Sequence, residues 1–531
     1  MDMNKYKPDN LEKKWDVIVI GAGMGGGVFG YEMAKTGKEV LFLESGYFLS
    51  NALEECNDSK DVCVRKKNGQ WPYKVKGNTT FGQRNSFLSI GCGTGGSTSI
   101  YAAQLERMFP SDFSPKRNYP DSPDANLPEK WPINYQDFER FYQEAERLFR
   151  VTGGKDFFSS DINSKLTNPP QLTNSNKKLF KYLTEVGLHP YRSHVACDFV
   201  DGCDGCAEVI CKKRCKNDVN KICIEPALRK YNAKILTSCD VTRIDANDKT
   251  ARFVECKVNK KIVKLQGRVI VLAAGAIFTP ELLLKSSSDI WPNGLCNSNG
   301  LVGKNLMWHA SDVFAIKPKK ASKDSISKRQ ISFNDFYFID NFKCGNIQEM
   351  GFNWFTREKL REIILRKLSK FGLKISKNSF IVRIASFFAE YRFKGATMYA
   401  SIVEDLPYLE NMVYLQDGEV CFKYTYKKEL RNRCKALRLG LAKTIKSKYK
   451  LLLLSKRDNL NYGHACGTCR FGDSPTSSVI NADNRAHDIS NLFIVDASFF
   501  PSSGGSNPSL TIAANSIRVA EFVNSEWDSF V

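Results

Sequence analysis

A chain of 531 residues is long enough to bury one large core or two coupled ones. Hydrophobic residues at 42% and charged residues at 25% exclude a disordered chain, and no internal repeat occurs at solenoid periods. The net charge of +21 raises nucleic acid, an anionic membrane or acidic partners, but the lysines are spread along the whole chain without an arginine stripe, so no nucleic acid is expected.

The opening stretch, MDMNKYKPDNLEKKWDVIVIGAG, carries no secretory signal, and its apolar run VIVI is too short for one. No run approaches the roughly 18 apolar residues of a membrane span. The seventeen cysteines lack the spacing of a small secreted scaffold. These features predict a reducing, cytoplasmic setting with most thiols free and buried.

Residues 16–20 read as a strand buried on both faces. Gly21, Gly23 and Gly26 then satisfy GxGxxG before a helical apolar pattern, and a second strand, VLFLE, ends at Glu44. Gly21 permits the turn, Gly23 lets a pyrophosphate approach the backbone, and Gly26 lets the helix pack on the sheet. Glu44 can accept hydrogen bonds from a ribose diol, which suits FAD or NAD better than NADP. Strand, loop, helix, strand and acid in this order are the context that makes the motif specific.

Further along, SIGCGTGGSTSIYAAQLERMFPSDF (89–113) is a glycine-rich loop able to lie against a flat ring or a second phosphate. CDGCAEVICKKRC places Cys203, Cys206, Cys211 and Cys215 in one loop, with Cys197 and Cys223 nearby; clustered thiols can hold iron–sulfur or zinc, and an uncoordinated loop or a lone disulfide is the competing reading. GRVIVLAAGAIFTPELLLKSS (267–287) predicts a buried strand and a helix capped by Thr279 with Pro280 at its first position. Residues 359–380 form a basic amphipathic pattern with Leu360, Ile363, Ile364, Leu368 and Phe371 on one face, suited to covering a sheet or to peripheral membrane contact. Residues 402–427 alternate around a DG turn, as a hairpin does. NYGHACGTCRFG (461–472) sets His464, one of five histidines, beside a Cys-x-x-Cys pair: a metal knuckle, a dithiol or a catalytic histidine. Residues 491–523 give a strand, Asp496, a Gly/Ser loop and a helix from about Pro508.

Taken together, GAGMGG with Glu44, GTGGSTSIY, VLAAGAIFTPELL, GLVGKNLMWH, HACGTCRFG and VDASFFPSSGGSNPSLTIAANS resemble the glucose–methanol–choline (GMC) oxidoreductases over residues 14–525. The nearest subgroup in appearance is the bacterial sugar and polyol dehydrogenases and the cyclitol or amino-sugar oxidases. The resemblance implies an α/β fold with a Rossmann-type FAD-binding domain assembled from residues 14–115, 220–312 and 456–531. It implies a substrate domain, with an antiparallel sheet that the 402–427 hairpin pattern fits and flanking helices, from 116–219 and 313–455, including a cysteine-rich loop at 197–223.

It also implies oxidation of a small-molecule alcohol to a carbonyl, with oxygen, a quinone or a cytochrome as electron acceptor. His464 falls on the catalytic histidine and Asn507 on its partner position. Gly21, Gly23, Gly26, Glu44, Gly95, Gly96, Ser97, Val241, Ala274, Gly275, Asp496, Ala497 and Pro508 fall on the cofactor-binding positions. Where some relatives carry a flavin-linked histidine this chain has Ser99 and Ile100, which implies non-covalent FAD. His309 ends a block usually written NLxDH, and the change to Trp308 leaves a structural role as the expectation. The spacing of Cys206, Cys211 and Cys215 resembles the iron–sulfur loop of multi-subunit sugar dehydrogenases, so a flavoprotein subunit of such a membrane-associated complex is the alternative reading. An NAD-dependent dehydrogenase ranks third.

Overall fold

The computed structural model describes residues 13–49, 60–159, 164–203, 205–320, 328–340, 342–351, 356–370, 372–373, 375–455 and 458–530. A parallel sheet forms around the strand Lys14–Ile20, which pairs with Val40–Glu44 on one side and Lys261–Leu272 on the other. Lys234–Thr237 and Leu492–Ile494 extend it at either end. Val17 to Ile20 are buried because helices pack on the sheet, which is why this strand is an unbroken apolar run rather than an alternating one.

The register decides where the site lies. Ile20 pairs with both Leu43 and Leu272, and Leu272 with Ile494, so these strands end at one level. Their following loops, at residues 21–23, 45–46, 273–275 and 495–497, therefore open onto one carboxyl edge, where open α/β sheets bind ligands.

The second large sheet is antiparallel. Its order is Tyr449–Leu453, Val313–Pro318, Thr397–Val403, Gly345–Glu349, Ile331–Phe333 and Tyr191–Arg192, with Met307–Ala310 bridging to Leu460–Cys466. Phe314, Ile316 and Tyr399 pack with the helix Lys428–Thr444 through Leu430, Leu437 and Leu441. Ala315 and Met398 form a separate small core with Leu360 of the helix Arg357–Lys370. That helix is the amphipathic segment: Leu360 is buried, Ile363, Ile364 and Leu368 are half-buried, and Phe371 lies outside the described residues.

Two sequence expectations change. The DG hairpin forms, with Met412–Gln416 against Glu419–Tyr424, but it is not part of the large antiparallel sheet. It joins a separate four-stranded sheet by pairing in parallel with Lys74–Thr79, which in turn pairs with Gly82–Phe87. The helix expected from Pro280 begins five residues earlier, at Gly275. Pro280 has no N–H to give to the carbonyl of Ala276 one turn back. The Thr468 hydroxyl donates to that carbonyl instead, at 2.7 Å, so the helix tolerates an internal proline.

Candidate active site

A cavity of about 1240 Å³ opens at the carboxyl edge of the parallel sheet and runs toward the antiparallel one. Gly21, Gly23, Glu44, Gly96, Ser97, Val241, Ala274, Gly275, Asp496, Ala497 and Pro508 line it, as do His464 and Asn507. Gly26 and Gly95 lie behind the wall. A side chain on Gly26 would stand 2.1 Å from the Gly21 carbonyl, so this glycine lets the helix Met24–Lys35 close on the turn. Gly95 donates its N–H to the Ala22 carbonyl at 2.8 Å and so fastens the second glycine-rich loop to the first.

Glu44 is the joint between these loops. Its carboxylate accepts from the backbone N–H groups of Ala22 (3.1 Å), Gly46 (2.8 Å) and Gly93 (2.9 Å). Asp496 plays a similar part at the next loop. It accepts from Gly275 N–H at 2.9 Å, from the Thr279 hydroxyl, and from both the N–H and the hydroxyl of Ser498. Thr279, expected as a helix cap, is thus a strut between two cavity loops.

The residues present fit FAD. The helix Met24–Lys35 points its N-terminus at the cavity, giving free amides and a positive dipole end for phosphate. Gly23 leaves room there, since the nearest atom to an added Cβ is Gly96 Cα at 3.8 Å. The volume exceeds the roughly 300–1,000 Å³ of an ordinary small-molecule pocket, leaving space for a dinucleotide and a substrate.

Two strand neighbours shape the chemistry at the far end. Leu460–Cys466 carries His464, and Met307–Ala310 carries His309. Their antiparallel pairing sets the two rings edge to face, 5.1 Å between centres, with Nδ1 of each 3.1 Å apart. His309 is fully buried, and its Nε2 lies 3.0 Å from the Gly504 carbonyl. A carbonyl can only accept, so His309 Nε2 carries the proton. Burial lowers the pKa of His309 to about 4, so the ring is neutral and its Nδ1 is a bare acceptor. His464 Nδ1 must then hold the proton between them, which leaves the lone pair of His464 on Nε2. His464 lines the cavity, and its own pKa is held well below the usual histidine range by burial and by the neighbouring His309.

Asn507 is nearly buried and forms a head-to-tail amide pair with Gln348. Its Nδ2 donates to Gln348 Oε1 at 2.6 Å, and Gln348 Nε2 donates back at 3.3 Å. Sequence reasoning missed Gln348, which sits in a stretch with no motif, and gave His309 only a structural role. The signal for His309 was the histidine ending GLVGKNLMWH.

The cysteines beside His464 take no part in this arrangement. Cys466 and Cys469 are buried, their thiols pushed up by burial. The open reading of a cluster at Cys206, Cys211 and Cys215 finds no support among the described residues. Cys206 and Cys211 sulfurs lie 4.0 Å apart, and Cys211 Sγ accepts from the Cys215 N–H at 3.3 Å. Among the described residues no three His, Cys, Asp or Glu side chains are grouped to hold a metal ion, and all the described cysteines are free.

Comparison with known proteins identifies the family. The GMC oxidoreductase family models match residues 16–311 and 440–516. Paromamine 6'-oxidase of Streptomyces fradiae is 26% identical, covering 96% of this chain and 92% of that protein. 2-Methyl-1,2-propanediol dehydrogenase of Mycolicibacterium austroafricanum is 24% identical, covering 97% and 96%. The large subunit of fructose dehydrogenase from Gluconobacter japonicus is also 24% identical, covering 96% and 97%. Among solved structures, pyridoxine 4-oxidase from Mesorbium loti superposes with a TM-score of 0.65 at 16% identity, covering 96% of this chain and 99% of that one, which shows the shared fold. With its dinucleotide cradle, its cavity histidine and a family match over more than half its length, the chain belongs to the GMC oxidoreductases, FAD-dependent enzymes acting on CH–OH donors.

Proposed function

We propose that the enzyme oxidises a primary or secondary alcohol on a sugar, cyclitol, amino sugar or polyol to a carbonyl, with FAD held non-covalently. The observation that carries this reading is the His464–His309 pair, which leaves one unprotonated imidazole nitrogen for the cavity. His464 Nε2 takes the hydroxyl proton, the role of a neutral base within hydrogen-bond reach. Asn507, oriented by Gln348, holds the same oxygen with its remaining amide hydrogen. Bound FAD supplies the two-electron acceptor for the hydride leaving the carbinol carbon. The helix Ser509–Ser525 begins at Pro508 on the cavity wall, so its positive end favours negative charge there.

Several observations support the substrate class. Gln104, Ser311, Gln348 and Asn461 put amides and a hydroxyl on the cavity wall, the groups that recognise a substrate rich in hydroxyls. Relatives named for paromamine, paromomycin and fructose act, by their names, on molecules of that kind. Ser99, one of the two positions comparable to the flavin-linked histidine of some family members, spends its hydroxyl on the Thr94 carbonyl at 2.8 Å.

The test is an anaerobic screen in which the flavin colour is followed against a panel of sugars, aminocyclitols and polyols. Bleaching by at least one, and its loss in His464→Ala with flavin retained, is the expected result. Undiminished bleaching in that variant refutes His464 as the base. Admitting air afterwards separates an oxygen-using oxidase from an enzyme that needs a quinone or cytochrome.

A further inference from the structure

The helix Phe380–Phe393 is apolar on both sides. Val382 and Ser386 are buried, and Ala389 and Phe393 pack on the small core of Ala315, Leu360 and Met398. The opposite side is made of Phe380, Ile381, Ile384, Phe387, Phe388 and Tyr391, at spacings of one, three or four residues, which place them on one stripe. Their exposures run from 40% to 74%. Scattered apolar residues on a surface are ordinary, but six large ones in a continuous stripe mark an interaction face.

The setting of the stripe selects the partner. Residues 357–394, the helical pair that carries it, hold eleven lysines and arginines against three glutamates. Two of those glutamates are already paired, Glu390 with Arg357 and Glu362 with Lys377. Arg383, Arg392 and Lys394 are exposed on the helix of the stripe or just beyond its end. The stripe is an exposed ridge of aromatic and aliphatic side chains flanked by cations, on a chain of net charge +21. No helix among the described residues is long and apolar enough to cross a membrane. We infer that the Phe380–Phe393 ridge seats the enzyme on the surface of an anionic phospholipid bilayer, with its aromatic side chains at the level of the headgroups.

The position of the ridge links this to the cavity. The helical pair is inserted between the strands Gly345–Glu349 and Thr397–Val403. Those strands carry Gln348, Ala400 and Ile402 of the cavity wall. Seating the ridge on a bilayer therefore places the lipid surface at the insertion that joins two strands of the cavity wall.

The experiment is co-sedimentation of the purified holoenzyme with vesicles of phosphatidylcholine alone, or of phosphatidylcholine and phosphatidylglycerol in equal parts. Binding is expected on the mixed vesicles and not on the neutral ones, with release by high salt. The combined variant Phe380→Ser, Ile381→Ser, Phe387→Ser and Phe388→Ser should weaken partitioning on the order of tenfold or more. The combined variant Arg383→Glu, Arg392→Glu and Lys394→Glu keeps the apolar stripe and should weaken it about as much at low salt. Both should retain turnover of a soluble substrate, since none of these side chains lines the cavity. Failure of the wild-type enzyme to bind anionic vesicles overturns the inference, as does unchanged binding by either variant. A concentration-dependent dimer in sedimentation velocity, dissolved by the serine variant, also overturns it by making a second copy the occupant of the ridge.

Discussion

His309 and His464 meet nitrogen to nitrogen at 3.1 Å, and the Gly504 carbonyl behind His309 decides which of them gives the proton. The pair works in one direction only: His309 accepts, so His464 presents a lone pair to the cavity. Replacing His309 with alanine removes the acceptor without touching the cavity wall. His464 is then free to adopt either tautomer, and kcat should fall by about tenfold to a hundredfold. The acid limb of the pH–rate profile should move to higher pH, because a neighbour that depresses the pKa of His464 has gone. A variant with an unchanged pH profile would leave His309 as packing alone.

Gln348 acts on Asn507 much as His309 acts on His464. In Gln348→Leu the amide of Asn507 loses its partner and can turn. The expected result is a drop in kcat of roughly tenfold with little change in melting temperature, from lost positioning. Asn507→Ala, which removes the group itself, should cost more. Steady-state kinetics on both variants checks the order.

The buried His309 also makes the fold acid-sensitive. A histidine whose folded pKa lies below its unfolded value stabilises the fold fully above the unfolded pKa, and that stability drains away as pH falls toward the folded one. For His309, lowered to about 4 from an ordinary value of about 6.5, the loss amounts to roughly 3 kcal/mol across that window. Denaturant unfolding of the wild type should show a midpoint falling between pH 6.5 and 4. His309→Gln should flatten that fall.

A further prediction on stability concerns a buried ion cluster. Lys343 is fully buried between the carboxylates of Asp112 and Glu404, and Tyr337 and Tyr119 each donate a hydroxyl to one of those acids. The cluster ties the segment at 110–113 to the large antiparallel sheet. Lys343→Met leaves two carboxylates in the interior without their cation, and should cost about 3–5 kcal/mol. Thermal unfolding measures it directly, and a loss under about 1 kcal/mol would show the acids taking up protons instead.

Much of the site was legible because its pieces are local. The turn after Ile20, the acid at the end of Val40–Glu44 and the helix starting at Pro508 are each written within a few adjacent residues. What escaped depends on chain segments far apart in sequence. His309 and His464 are 155 positions apart and meet only through one strand pairing. Gln348 faces Asn507 across 159 positions from a stretch without a motif. The DG hairpin was read correctly as a hairpin, but its parallel partner at residues 74–79 is invisible to alternation alone. Pro280 looked like a helix start because nothing nearby shows that Thr468 replaces its missing donor.

The common level at which Ile20, Leu43, Leu272 and Ile494 end has a consequence in time. A ribosome delivers the turn at Gly21 471 positions ahead of the strand Leu492–Ile494. The wall that Asp496, Asn507 and Pro508 complete therefore does not exist until residues 492–508 have joined the earlier segments. Flavin capture therefore has to follow synthesis of both groups of segments, not of the Gly21 turn alone. A truncation before Leu492 should yield a colourless, protease-sensitive chain rather than a weaker enzyme.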